Sequence, residues 1–190
     1  MDASLRGFDI PDRIDAGEVA LRSPVEADVA AIVEACQDPE ISRWTRVPCP
    51  YGRSDAEHFI ELAEAGRRDG DAAPFLIVDP VTDALNGAIG IHDMSRSTLT
   101  GEIGYWVASW ARGRGIASRA LNALADWGLS AGLHRIQAQV MVGNESSRRV
   151  LSRAGFVEEG LLRSVSAGGC GVDLDRIDMH VYSLIPSDRV

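Results

Sequence analysis

The stretch Tyr105-Trp106-Val107-Ala108-Ser109-Trp110-Ala111-Arg112-Gly113-Arg114-Gly115-Ile116-Ala117 passes from an apolar, strand-like run, through glycines at alternate positions, into an apolar segment from Ile116 to Leu129 that reads as a helix. Glycine turns the backbone without a Cβ penalty, and the first N–H groups of the helix behind it have no partner inside the helix. Those donors and the helix dipole suit an anion such as a pyrophosphate. An ordinary strand-to-helix turn has the same local pattern, so the surroundings have to decide.

Two other phosphate loops fail against this one. A P-loop needs Lys before Ser or Thr, and all 19 basic residues of this chain are arginine. A dinucleotide fingerprint needs a third small glycine-like residue where Ser118 stands, and it opens a βαβ unit near the start of its domain. Nucleotide hydrolysis of the P-loop type and nicotinamide chemistry are therefore set aside.

Outward from the loop, Glu102 to Val107 predicts a strand, preceded by Phe75 to Val78 and Leu85 to Ile91, two strands joined by the turn-rich Asp79-Pro80-Val81-Thr82-Asp83. Glu18 to Arg22 alternates as a short strand. Ser23-Pro24-Val25-Glu26 predicts a helix opening, with Ser23 as N-cap and Glu26 closing a capping box, and Asp38-Pro39 predicts that helix's end. Ser54 is placed to cap a second helix through Phe59, Ile60 and Leu62. After the glycine loop the order is helix, strand, short helix from Asn144 with Gly155 as its terminating glycine, and strand. A loop, Ala167-Gly168-Gly169-Cys170-Gly171, and a final strand around Met179 to Leu184 complete the chain.

Composition bounds the function. The chain has 190 residues, 45% hydrophobic and 25% charged, enough for one domain with a full core and with no repeat or composition break. A formal net charge of −9 argues against a nucleic-acid partner, which needs a basic face, and mildly favours cationic ones such as amines. No apolar run approaches 18 residues and the start lacks a basic and apolar signal segment, so a cytoplasmic protein with no membrane partner is expected. Cys36, Cys49 and Cys170 have no metal-ligand spacing and no His or Asn pattern of a thiol nucleophile; reduced, structural cysteines are expected.

The pattern Arg112-x-x-Gly115-x-Ala117 resembles the acyl-CoA pyrophosphate loop of the GNAT acetyltransferase superfamily. Gly101-Glu102-Ile103-Gly104-Tyr105-Trp106-Val107 is similar to that family's fourth strand, and His134-Arg135-Ile136-Gln137-Ala138-Gln139-Val140 to its fifth. Asn144-x-x-Ser147, Arg149-Val150-Leu151, Ala154-Gly155-Phe156 and Glu159-Gly160 resemble the Rim-type subgroup, which acetylates ribosomal-protein N-termini. Pro50-Tyr51 followed by Asp55-Ala56-Glu57 and Phe59-Ile60 resembles the subgroup's second helix.

The resemblance implies an α/β fold in a single acetyltransferase domain over residues 1–190: a mixed, mostly antiparallel sheet, fourth and fifth strands splayed apart, and helices on both faces. It implies acetyl-CoA as co-substrate and no metal. Trp106, Val107, Arg112, Gly113, Arg114, Gly115, Ile116 and Ala117 would bind it, with Arg148, Arg149 and Arg153 near its phosphates. Asn144 would bond the pantetheine arm, which lies along the fourth strand as an added strand, and an N–H near Val107 would meet the thioester oxygen.

Transfer to an amine requires a base, because an α-amino group has a pKa of about 7.7 to 8.0 and a lysine ammonium about 10.4. Glu102 is the first candidate, with His92 and Asp93 as competitors; Ser147 is the candidate donor to the departing thiolate. Purely structural readings stand beside these: a strand-surface carboxylate for Glu102, a helix cap for Asn144 and Ser147. The leading acceptor is a protein or peptide N-terminal α-amino group. A small-molecule amine (aminoglycoside, polyamine or amino-acid analogue) and a non-catalytic acyl-CoA sensor are the alternatives, and a homodimer is left open.

Overall fold

The computed structural model describes residues 7–166 and 176–189; the sequence-predicted loop at Ala167 to Gly171 lies outside them. Strands β1 (Arg13–Ala16), β2 (Val19–Arg22), β3 (Ala73–Val78), β4 (Leu85–Ser95), β5 (Thr100–Val107), β6 (Arg135–Met141), β7 (Val157–Ser166) and β8 (Ile177–Leu184) form an eight-stranded sheet in the order β1-β2-β3-β4-β5-β6-β8-β7. Every neighbouring pair is antiparallel except β5 with β6. A parallel pair needs a crossover, and here it is the helix α4 (Ile116–Ser130).

The sheet is covered on both faces by α1 (Val29–Cys36), α2 (Pro39–Trp44) and α3 (Arg53–Asp69) on one side and α4 and α5 (Glu145–Arg153) on the other. The interior strand β3 is buried at every position, as a strand covered on both faces must be. Its alternate residues divide between the two cores: Phe75 and Ile77 join Ile89, Ile103, Leu121, Leu124 and Leu151, whereas Leu76 and Val78 meet Ile32, Ile41 and Ile60. The same alternation on β5 sends Ile103, Tyr105 and Val107 to the α4 side and Trp106 to the α1 side. No helix among the described residues is long and apolar enough to cross a membrane.

Several local expectations are corrected. The turn after β2 is closed by Asp28 rather than by Ser23 and Glu26: Asp28 Oδ2 accepts from the Val25 N–H at 2.8 Å, and its two oxygens take Arg22 NH1 and NH2 at 2.8 and 2.7 Å. Burial would raise the Asp28 carboxyl, but the Arg22 guanidinium and the Val25 N–H hold it below its ordinary range. Asp38-Pro39 ends α1 and also starts α2, since Asp38 Oδ1 accepts from the Glu40 N–H at 3.0 Å and proline fits the first helical turn. Gly52 rather than Ser54 is the cap of α3, with Asp55 Oδ2 accepting from the Gly52 N–H. Cys36 is a buried thiol pushed up to about 12 by desolvation, whereas Cys49 is disulfide-bonded, against the expectation of a reduced thiol.

Candidate active site at the opening of the sheet

β5 and β6 pair only through Thr100 with Arg135, Gly101 with Ile136 and Glu102 with Gln137. From Ile103 onward β5 keeps its partner on the β4 side, as far as Val107 opposite Gly87, and among the described residues has no strand partner on the other. Backbone groups alternate in direction along a strand. The Ala108 N–H bonds the Asn86 carbonyl on the β4 side, so the Val107 N–H and C=O point the other way, into the split between β5 and β6. A chain of amides laid in this split would find strand donors and acceptors already arrayed.

The glycine loop closes one end of the split. Gly113 and Gly115 have φ of +75° and +74°, the left-handed region that glycine enters freely, and Gly115 caps α4. The first bond into α4 is donated by the Arg119 N–H to the Gly115 carbonyl at 3.2 Å, so the N–H groups of Ile116, Ala117 and Ser118 face out of the helix end. The neighbouring side chains brace the loop. Arg112 Nε donates to the Val107 carbonyl at 3.2 Å and its NH2 pairs with Asp38 at 2.7 Å, tying the loop to the α1–α2 turn. Arg119 NH1 donates to the Arg114 carbonyl at 2.7 Å while NH2 pairs with Glu18. The donors left for an anion are therefore chiefly backbone N–H groups, with the exposed Arg114 side chain beside them.

The proposed proton-transfer groups lie on opposite faces at the split. Glu102 stands on the α1–α3 face, its side chain 22% exposed; Oε2 accepts from Gln137 Nε2 at 3.2 Å and Gln139 Nε2 at 2.9 Å, and Oε1 lies 3.7 Å from Arg46 NH2. His92 is its register partner on β4, and Asp93 follows with a φ of +52° where the pairing slips. His92 is exposed, yet desolvation holds it below its ordinary value, outweighing the carboxylates of Asp93 and Glu102. Gly104, next on this face, is exposed, and a Cβ there would meet nothing within 4 Å.

Ser147 approaches from the α4–α5 face. Asn144 caps α5, its Oδ1 accepting from the Ser147 N–H at 3.1 Å, which is the structural reading of the pair and leaves the Asn144 amide nitrogen turned elsewhere. Sequence reasoning missed the partner of Ser147: Tyr105 Oη lies 2.8 Å from Ser147 Oγ. Arg148, expected near phosphates, is instead bound by Glu145, Glu158 and the Tyr182 hydroxyl, while Arg149 is exposed. Among the described residues no cluster of His, Cys, Asp or Glu is arranged to hold a metal ion.

A family model described as acetyltransferase (GNAT) domain matches residues 18–157. The uncharacterized N-acetyltransferase p20 of Bacillus licheniformis is 29% identical over 168 residues, covering 88% of this chain and 92% of that protein. The ribosomal-protein-serine acetyltransferase of Escherichia coli is 38% identical over 104 residues, 54% of this chain and 56% of the relative. Among solved structures, Mycobacterium smegmatis RimJ in complex with CoA-disulfide has a TM-score of 0.84 at 28% identity, covering 96% of this chain and 91% of that one.

Proposed function

We propose that this chain, which belongs to the GNAT acetyltransferase family and is an acetyl-CoA-dependent N-acetyltransferase, acts on the free α-amino group of a protein or peptide. The observation that carries the reading is the placement of Glu102 and Ser147 on opposite faces of the split, so that an acyl group held there has a base on the acceptor side and a donor on the side of the leaving thiol. The likeness to the ribosomal-protein-serine acetyltransferase supports the class of acceptor. So does chemistry, because an α-amine lies nearer neutrality than a lysine side chain and needs less from its base.

In this reading the backbone N–H groups at the start of α4 hold the pyrophosphate, the free edge of Ile103 to Val107 pairs with the pantetheine amides, and the Val107 N–H faces the thioester oxygen. Glu102, directed by the amides of Gln137 and Gln139, takes the proton from the attacking nitrogen, directly or through water. Ser147 supplies a proton to sulfur. A cytoplasmic location fits this role.

Short peptides beginning with Ser, Ala or Met, each with an internal lysine, test the acceptor when thiol release from acetyl-CoA is followed beside spermidine and an aminoglycoside. The expected result is acetylation of the peptide terminus, abolished when that terminus is blocked. Turnover confined to the polyamine or aminoglycoside would move the function to a small amine.

A further inference from the structure

We propose that Tyr105 is a positioning residue for the reaction: its phenol O–H donates to Ser147 Oγ and turns the serine's own hydrogen toward the split, where the departing sulfur would lie. The inference rests on the reading of Ser147 as the group that protonates that sulfur. Tyr105 lies on the segment of β5 that has left β6, and Ser147 lies in the first turn of α5, so the contact bridges two elements that the opening of the sheet separates. The phenol reaches both oxygens of Ser147, Oγ at 2.8 Å and the carbonyl at 3.5 Å. No other protein group hydrogen-bonds Ser147 Oγ among the described residues.

Direction follows from acidity and geometry. The phenol has one hydrogen and two Ser147 oxygens in reach; the contact at 2.8 Å rather than 3.5 Å, and the greater acidity of a phenol than of an alcohol, assign that hydrogen to Ser147 Oγ as acceptor. The serine main chain is fixed independently, by the Asn144 cap on its N–H, and the tyrosine ring is packed against the α4-side core. What remains free is rotation of the serine hydroxyl, and the accepted bond removes that freedom. Desolvation pushes the Tyr105 phenol up to about 12, so it stays protonated and donating across the physiological range.

The step balances without ionising the tyrosine. Nitrogen forms the bond to the acyl carbon, the carbon–sulfur bond breaks with its electron pair on sulfur, and Ser147 Oγ–H passes its proton to that pair. Glu102 takes the proton released by the nitrogen and yields it to solvent, from which the serine oxygen is reprotonated, so one proton moves in total from nitrogen to sulfur. Tyr105 keeps its own throughout.

Thiol release is measured for wild type, Tyr105→Phe, Ser147→Ala and the double variant, with the fastest amine of the acceptor panel and with water alone as acceptor; calorimetry of acetyl-CoA reports binding and folding. Ser147→Ala is expected to lower kcat about 10²-fold, and Tyr105→Phe about tenfold with KM for acetyl-CoA unchanged. The double variant should be no slower than Ser147→Ala alone. A Tyr105→Phe enzyme with wild-type kcat beside an impaired Ser147→Ala enzyme overturns the role of Tyr105 and leaves that of Ser147. Losses that multiply in the double variant also overturn it. A Ser147→Ala loss below about threefold overturns the reading of Ser147 and this inference with it.

Discussion

At the scale of the residue, Glu102 and His92 share one face and one cross-strand pair, and only one needs to be the base. Glu102 is directed by two amide donors and faces Arg46, a side chain 76% exposed that can swing aside for an entering amine. His92, held below its ordinary value of 6.5, is neutral at pH 7 but among the described residues has no directing partner of comparable quality. Glu102→Gln should therefore lower kcat about 10²-fold with acetyl-CoA affinity nearly unchanged, and His92→Gln less than about threefold. Steady-state kinetics with calorimetry decide it, and the opposite ranking transfers the role to His92. Glu102 and Ser147 could be named as candidates because each sits in a short motif. Tyr105 could not, because its partner lies 42 positions away and no periodicity links them.

At the scale of the element, the turn into α4 was legible because two glycines at alternate positions, both in the left-handed region, precede a helix; that it cradles an anion is the reading to be tested. Gly115→Asp places a carboxylate at the mouth of the cradle and a side chain where φ is +74°, at a conformational cost of about 1–2 kcal/mol. Loss of calorimetric acetyl-CoA binding in a protein that still melts cooperatively is the expected outcome; binding as tight as wild type would move the phosphates elsewhere. Helix α2 was hidden for a different reason. Aspartate followed by proline closes one helix and opens the next, and sequence pattern alone favours the simpler stop. The bracing of the loop by Asp38 through Arg112 was equally out of reach, since it depends on where α2 begins.

At the scale of the whole molecule, the sheet's far edge strand β7 is exposed along nearly its whole length; its ladder to β8 joins it to the sheet, and ion pairs lie beside that ladder. The Tyr182 hydroxyl, then Arg148 and His180, hold Glu158 at about 2, and Arg135, then Ser183, hold Glu159 at about 2. Their unfolded values lie near 4.5, so the unfolded chain binds more protons between these limits. The stability they contribute is present above pH 4.5 and lost as the pH falls toward 2. Melting temperatures across that range should fall on acidification, with a shallower slope for Glu159→Gln; an unchanged slope would deny that pair its role. The antiparallel frame and its single parallel joint have a mechanical consequence. Load passing from the β1–β5 part of the sheet to β6, β8 and β7 crosses three residue pairs, and α4, packed against strands on both sides of the joint, is the strut beside them. Beyond those three pairs β5 and β6 run on without bonding each other, so an extended occupant of the gap would carry the hydrogen-bonding of one part of the sheet across to the other.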